Sequence, residues 1–298
     1  MSSRRDKSFA GLVLAEGIIR CCNTHLSKQV PFLNLSPRLS IHYLDINPGG
    51  SPTVLLLHGL GVNGSSWALQ LPALEKAGFR VLAPDLRGFG KSTYPGGRLS
   101  AFILASDMAA LLDLFHAGAA HVIGISMGGI IALQLAIEHP NLVDKLILVN
   151  TFARLRPQRL SVWVYYALRL FLVHTLGLPT QARVVSWRIF PRPEQAELRS
   201  TLYAQITQAN PAGYRATMRA LARFNALPRL NELCHPTLVI TGERDTTVPA
   251  EVQNEMAARI PLARQVIIPD AGHAVIAEQP ELFNHCILDF LLDKGNIP

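Results

Sequence analysis

Gly124-Ile125-Ser126-Met127-Gly128 decides the reading of this 298-residue chain. It follows an apolar, strand-like stretch from His121 to Ile125 and opens a helix-like one from Met127 to His139. Small residues are common in turns, so a Gly-x-Ser-x-Gly string alone carries little weight. Between a strand and a helix it has a mechanical meaning. The chain must turn sharply, the serine takes a strained backbone conformation at the apex, and the flanking glycines remove Cβ atoms that would clash. The Ser126 Oγ then stands exposed above a sheet, and the helix behind it aims N–H groups and positive dipole at developing negative charge. The alternative is an ordinary Gly-rich turn with a solvated serine, and it requires a chain without partners for Ser126.

Two later segments offer such partners. Thr237 to Asp245 (TLVITGERD) is a short apolar strand ending in Gly242 and a carboxylate, and Gln265 to His273 (QVIIPDAGH) is another ending in Gly272-His273. A hydroxyl is a poor nucleophile at neutral pH unless an imidazole takes its proton during attack. A carboxylate must in turn hold that imidazole in one tautomer and stabilise the imidazolium. Ser126, Asp245 and His273 each lie just past the C-terminal end of a predicted strand. In an open parallel sheet those ends share one rim, where ligands bind.

Two further segments complete a pattern. His58-Gly59-Leu60-Gly61 follows the strand Thr53 to Leu57, and Asp85-Leu86-Arg87-Gly88-Phe89-Gly90-Lys91-Ser92 follows the strand Arg80 to Ala83. From about Ser40 to the C-terminus the chain resembles the α/β-hydrolase superfamily, with five matching segments in the right order. The resemblance implies an α/β fold, a mostly parallel sheet flanked by helices, with an inserted helical cap. It implies a triad of Ser126, Asp245 and His273, and an oxyanion hole built from the backbone N–H groups of Met127 and Leu60. Glu243 and Asp270 are rivals to Asp245, but Asp245 fits the family's position and Asp270 reads as a turn residue satisfying its own backbone. Of the ten histidines, only His273 follows a glycine after a late strand. His58 is expected to orient the oxyanion loop, and Asp85 with Arg87 to brace its neighbour.

Composition bounds the architecture. With 49% hydrophobic and 16% charged residues, the chain buries a large core and shows no disorder signature. Strand patterns at 39–46, 54–57, 81–83, 121–125 and 145–149 and in the two late segments alternate with helical patterns at 68–77, 101–117, 127–139, 252–259 and 281–294. That alternation predicts a parallel sheet wrapped by helices. The expected division is an N-terminal, helical extension over 1–35, a core over 36–150 and 226–298, and a cap over 151–225.

The cap segment reads as helices only, broken at Pro157, at Gly177-Leu178-Pro179, at Pro191-Arg192-Pro193 and at Asn210-Pro211. It holds 11 Arg, no Lys and two acids (Glu194 and Glu197), a formal +9 in a chain of +7 overall, which leaves −2 for the rest. The basic residues are dispersed among apolar ones at helical period, and no nucleic-acid motif appears, so nucleic acid is excluded as a partner. The favoured reading places the arginines on an outer face and an acyl pocket on the inner, apolar face. A peripheral contact with an anionic membrane, through this cap or an N-terminal helix, is the competing one. Leu160 to Leu178 is nearly long enough to span a bilayer, but a central Arg169 costs about 2.5–3.5 kcal/mol on insertion scales, so it reads as a cap helix.

Met1 to about Asn34 lies outside the resemblance. Glu16 and Arg20 interrupt its apolar run, which argues against a secretion signal. Cys21, Cys22, Cys234 and Cys286 lack metal-ligand spacing and read as reduced thiols of a cytoplasmic protein. Relatives of this fold that cleave alkyl halides or epoxides carry aspartate at the elbow. Serine implies acyl transfer, with no metal or organic cofactor. The expected substrate is a small carboxylic ester with an apolar acyl or aryl group, and Gly59, Trp67, Trp163 and Trp187 are the candidate pocket walls. A lactone, a thioester or a carbon–carbon bond is open to the same triad, and cap arginines would suit the carboxylate of a diketo-acid substrate. A ligand-binding receptor with little turnover is the reading from another class.

Overall fold

The computed structural model describes residues 31–155 and 160–293, with side chains from 164 onward in the second stretch. Eight strands form one sheet in the order β1-β2-β4-β3-β5-β6-β7-β8. They are β1 (Phe32–Ser36), β2 (Leu39–Ile46), β3 (Thr53–Leu57), β4 (Arg80–Pro84), β5 (Ala120–Ile125), β6 (Val143–Val149), β7 (Thr237–Gly242) and β8 (Ala263–Ile268). β1 and β2 pair antiparallel, as do β2 and β4, and all other pairs are parallel. β3, β5 and β7 are buried along their whole length. Parallel strands covered on both faces need such unbroken apolar runs, and TVLLL and AHVIGI supply them.

β1 corrects the expected N-terminal extension, since 32–36 pairs with β2 rather than forming helix. Its five residues alternate, with Leu33 and Leu35 packed on the core and Phe32 exposed. A period-2 pattern this short is weak evidence by itself. Residues 1–30, with Cys21 and Cys22, lie outside the described residues.

The helices in chain order are α1 (Leu71–Lys76), α2 (Ala101–Leu114), α3 (Met127–Glu138), α4 (Leu160–Thr175), α5 (Gly177–Ile189), α6 (Ala196–Gln208), α7 (Pro211–Arg223), α8 (Ala250–Ala257), α9 (Val275–Glu278) and α10 (Pro280–Leu292). α4 to α7 lie between β6 and β7 in sequence. The apolar run from Leu160 to Leu178 is not one helix: it breaks between α4 and α5, where Gly177 takes φ +77°. Among the described residues no helix is long and apolar enough to cross a membrane.

Chain order reverses at β3, because β4 follows on one side and β5 lies on the other. A crevice opens at such a switch point, beyond the carboxyl ends of the strands. The register aligns what borders it: Leu57 pairs with Gly124, Ile125 with Val149, Val149 with Ile240, and Gly242 with Ile268. The loops after β3, β5, β6, β7 and β8 therefore start level with one another.

α3 packs on this rim at backbone distance. A Cβ on Gly128 would run into the Leu57 carbonyl, and one on Gly124 into the Gly128 carbonyl. Gly128→Ala is predicted to destabilise by about 1–3 kcal/mol through overpacking and to lower Tm by at least about 3 °C. Gly49→Ala, where nothing lies within 4 Å, should leave Tm nearly unchanged in the same thermal melts. Equal effects at the two positions would contradict the close approach.

Candidate active site

Ser126 sits between β5 and α3 with φ 54° and ψ −114°. A non-glycine residue at positive φ is strained, and the surroundings must over-determine it. They do so from both sides of the peptide: Ser126 N–H donates to the Val149 carbonyl (2.9 Å), and Thr151 Oγ1 donates to the Ser126 carbonyl (2.7 Å). The side chain makes no cap to its own helix, which leaves Oγ for another partner.

That partner is His273. Its Nε2 lies 3.1 Å from Ser126 Oγ, and its Nδ1 lies 2.8 Å from Asp245 Oδ2. A carboxylate only accepts, so Nδ1 carries the proton and Nε2 turns a lone pair toward Oγ. Asp245 is itself fixed, its Oδ1 accepting from the N–H groups of Thr247 (2.7 Å) and Val248 (3.0 Å). Its side chain is fully enclosed, and that of His273 is 10% exposed. The rival acids point elsewhere. Asp270 pairs with Arg244 at the surface, and Glu243 accepts the Asp270 N–H (3.0 Å).

The loop after β3 reaches the same place, since a Cβ on Gly59 would lie 3.8 Å from Ser126 Cβ. Buried His58 accepts the Leu86 N–H at Nε2 (2.9 Å), which leaves Nδ1 to donate to the Gly59 carbonyl (2.8 Å). Burial lowers the His58 pKa and keeps the ring neutral, as this pairing requires. The Gly59 carbonyl shares a rigid peptide plane with the Leu60 N–H, so His58 sets the direction of that donor. The Met127 N–H belongs to the first turn of α3, where helical N–H groups lack a partner within the helix.

A family profile described as the alpha/beta hydrolase fold matches residues 52–280 of this chain. The chain belongs to the α/β-hydrolase family. The provisionally named carbamate hydrolase RutD of Variovorax paradoxus is 31% identical over 261 residues, covering 85% of this chain and 96% of that protein. An enol-lactonase of Burkholderia xenovorans superposes with TM-score 0.81 at 29% identity, over 88% of this chain and 100% of its own. A thermophilic esterase of Thermogutta terrifontis gives TM-score 0.77 at 30% identity, over 88% and 97%. All three carry the names of hydrolases, and this chain is a hydrolase of the same family.

Within this α/β hydrolase, one residue absent from the expected set ties the site together. Asn150, fully buried at the end of β6 with φ 44°, donates from Nδ2 to the carbonyls of Gly272 and His273 (2.9 Å each). Its Oδ1 accepts the Gly242 N–H (2.8 Å). It thus clamps the loop bearing the histidine to the strand that leads to the acid. Its partners stand about a hundred residues away in sequence, and no local motif marks it.

A cavity of about 490 Å³ opens onto Ser126 and His273, within the usual range for small-molecule sites. Gly59, Leu60 and Met127 border it from the core, and Tyr165, Tyr166 and Met218 from the inserted helices. Trp67 and Trp187 do not line it. Trp67 is fully buried in the core against Phe283, because the turn at Gly64–Trp67 directs its ring away from the rim. Trp187 is 55% exposed on α5, with Arg199 stacked on its ring at 3.9 Å. The side chain of Trp163 lies outside the described residues.

Asp85 and Arg87 do not pair with each other. Arg87 binds Asp107 through Nε (2.8 Å) and Nη2 (2.5 Å). Asp85 accepts from His42 Nδ1 (2.8 Å) and from the N–H groups of Gly64 (2.8 Å) and Lys91 (2.9 Å). Burial pushes the Asp85 pKa up, but these hydrogen bonds outweigh it and hold the carboxyl below its usual range. A depressed native pKa contributes stability above the unfolded value of 3.8, lost as pH falls through the native one. Asp85→Asn should therefore lose about 1–3 kcal/mol at neutral pH, and the gap to wild type should shrink under acid. Urea unfolding at both conditions checks this, and a gap that widens with acid would contradict it.

Proposed function

We propose that the protein is a serine hydrolase that cleaves a carboxylic ester with an apolar acyl or aryl group through an acyl-enzyme on Ser126. The observation that carries this reading is the chain Ser126 Oγ, His273 Nε2, His273 Nδ1, Asp245 Oδ2, closed by hydrogen bonds of 3.1 and 2.8 Å at the mouth of the cavity. His273 takes the proton as Oγ attacks the carbonyl carbon, and Asp245 stabilises the imidazolium. The carbonyl oxygen gathers negative charge between the N–H groups of Met127 and Leu60. Losing one such donor typically costs about 2.7–4 kcal/mol of barrier lowering.

The tetrahedral adduct collapses as His273 protonates the leaving alcohol. Water then gives a proton to His273 and attacks the acyl-enzyme, which frees the acid and restores the serine. α4 to α7 act as the cap, closing the cavity from solvent and shaping the acyl site. A lactone is the second reading, favoured by the likeness to the enol-lactonase at TM-score 0.81, and it needs no change in these steps. The same triad serves a thioester, a carbamate or a carbon–carbon bond. A receptor with little turnover is the weaker reading, since a pure binder has no need of three groups in this alignment.

Hydrolysis of p-nitrophenyl esters of graded acyl length, with Ser126→Ala as control, tests the proposal. The expected result is saturable turnover with an optimum chain length and at least about a 10³-fold loss of kcat in the variant. Turnover within tenfold of wild type in Ser126→Ala would sink the serine mechanism. A folded wild type inert toward every ester yet active on lactones would replace the first reading by the second.

A further inference from the structure

Arg169 stands on the inner face of α4 and is 8% exposed. It is the only arginine, lysine, aspartate or glutamate among the described residues that line the cavity shared with Ser126 and His273. All its partners among the described residues are neutral. Nη2 donates to the Tyr214 hydroxyl (3.0 Å), and in the amide orientation that satisfies both groups Nε donates to the Gln181 oxygen (2.8 Å). The Tyr165 ring lies 5.6 Å from the guanidinium carbon. Among the described residues no carboxylate comes within ion-pair distance of it, and Nη1 meets no acceptor.

That arrangement is expensive for a purely structural residue. A guanidinium does not lose its proton in a protein, and a buried charge without a counter-charge keeps the full cost of leaving water. Three other cap arginines, Arg188, Arg192 and Arg199, avoid this. Arg192 reaches Glu194 and Glu278, while Arg188 and Arg199 are half-exposed and donate to backbone carbonyls. The acids near the site are already committed, Asp245 to His273 and Glu278 to Gly272 and Gln195. Among the described residues nothing supplies the missing anion, which points to what enters the cavity. A guanidinium suits a carboxylate best, because its planar N–H fork matches two oxygens.

We propose that the substrate carries a free carboxylate besides its scissile acyl bond, and that Arg169 is the residue that binds it. This deepens the serine-hydrolase reading and, for turnover, rests on it. The substrate class is then an apolar half-ester or lactone acid: a carbonyl carbon placed at Ser126, an apolar spacer along the cavity wall, and an anion against Arg169.

The test compares mono-p-nitrophenyl esters of straight-chain dicarboxylic acids, succinate to suberate, with uncharged p-nitrophenyl esters of the same chain lengths. At the best length, wild type is expected to favour the charged ester by at least about tenfold in kcat/KM, the scale of one charge-assisted contact. Arg169→Gln should bring the ratio near one, chiefly through KM, and Arg169→Lys should keep part of it. A wild type that favours the uncharged esters overturns the proposal. So does a loss in Arg169→Gln that falls equally on both series, the mark of a structural role.

Binding of the free dicarboxylates, read as a rise in Tm, separates this proposal from the reading it rests on. A rise in wild type and Arg169→Lys but not Arg169→Gln supports the carboxylate site even if no ester is turned over. No rise with any of the acids, together with ester turnover indifferent to charge, overturns the site and leaves the serine-hydrolase reading standing.

Discussion

The backbone of Ser126 stands at φ 54°, ψ −114°, a conformation that costs about 1–3 kcal/mol. Much of the surrounding structure serves to hold it there. The Val149 carbonyl and the Thr151 hydroxyl grip the two sides of the residue. Thr151 is itself pressed against α3, since a Cβ on Gly129 would sit 2.6 Å from it. Relaxing the serine would shift α3 off the β3 backbone and open the core beneath. The strain is offset by packing spread over three strands and a helix.

The same economy extends to the groups that face Ser126. Asn150 fastens the end of β7 and the loop after β8 to β6, so the distances between serine, histidine and acid are set by sheet register rather than by loop preference. The inserted helices are fastened to those same loops. Arg188 donates to the Thr246 carbonyl (2.6 Å), beside Asp245. Gln195 donates to Glu278 (2.8 Å), whose other oxygen accepts the Gly272 N–H (2.8 Å), beside His273. Burial holds the Glu278 pKa above its usual value despite these bonds. Movement of the insertion would therefore be felt first at the histidine and acid loops.

What was legible in the sequence was local. The elbow, the His-Gly loop and the two late strand ends each announce themselves within nine residues, because a turn or a buried strand restricts which residues fit. The parallel sheet followed from alternation of the same kind. What escaped depends on distance. Asn150 acts through partners 92 to 123 residues away, and Arg87 takes Asp107 rather than its near neighbour Asp85. Tryptophan marked the pocket poorly: Trp67 turned into the core and Trp187 faces outward, while Gly59, Tyr165, Tyr166 and Met218 are among the walls. Which face of a helix meets a cavity is decided by packing against neighbours, and one strand of text does not carry it.

The central claim is that His273 and Asp245 make Ser126 a nucleophile. Reaction of the whole protein with a fluorophosphonate, followed by peptide mass spectrometry, tests that claim without any assumption about substrate. The account predicts one adduct per chain, on Ser126, formed far more slowly when His273→Ala removes the base. No adduct, or one whose rate is indifferent to His273, would contradict it.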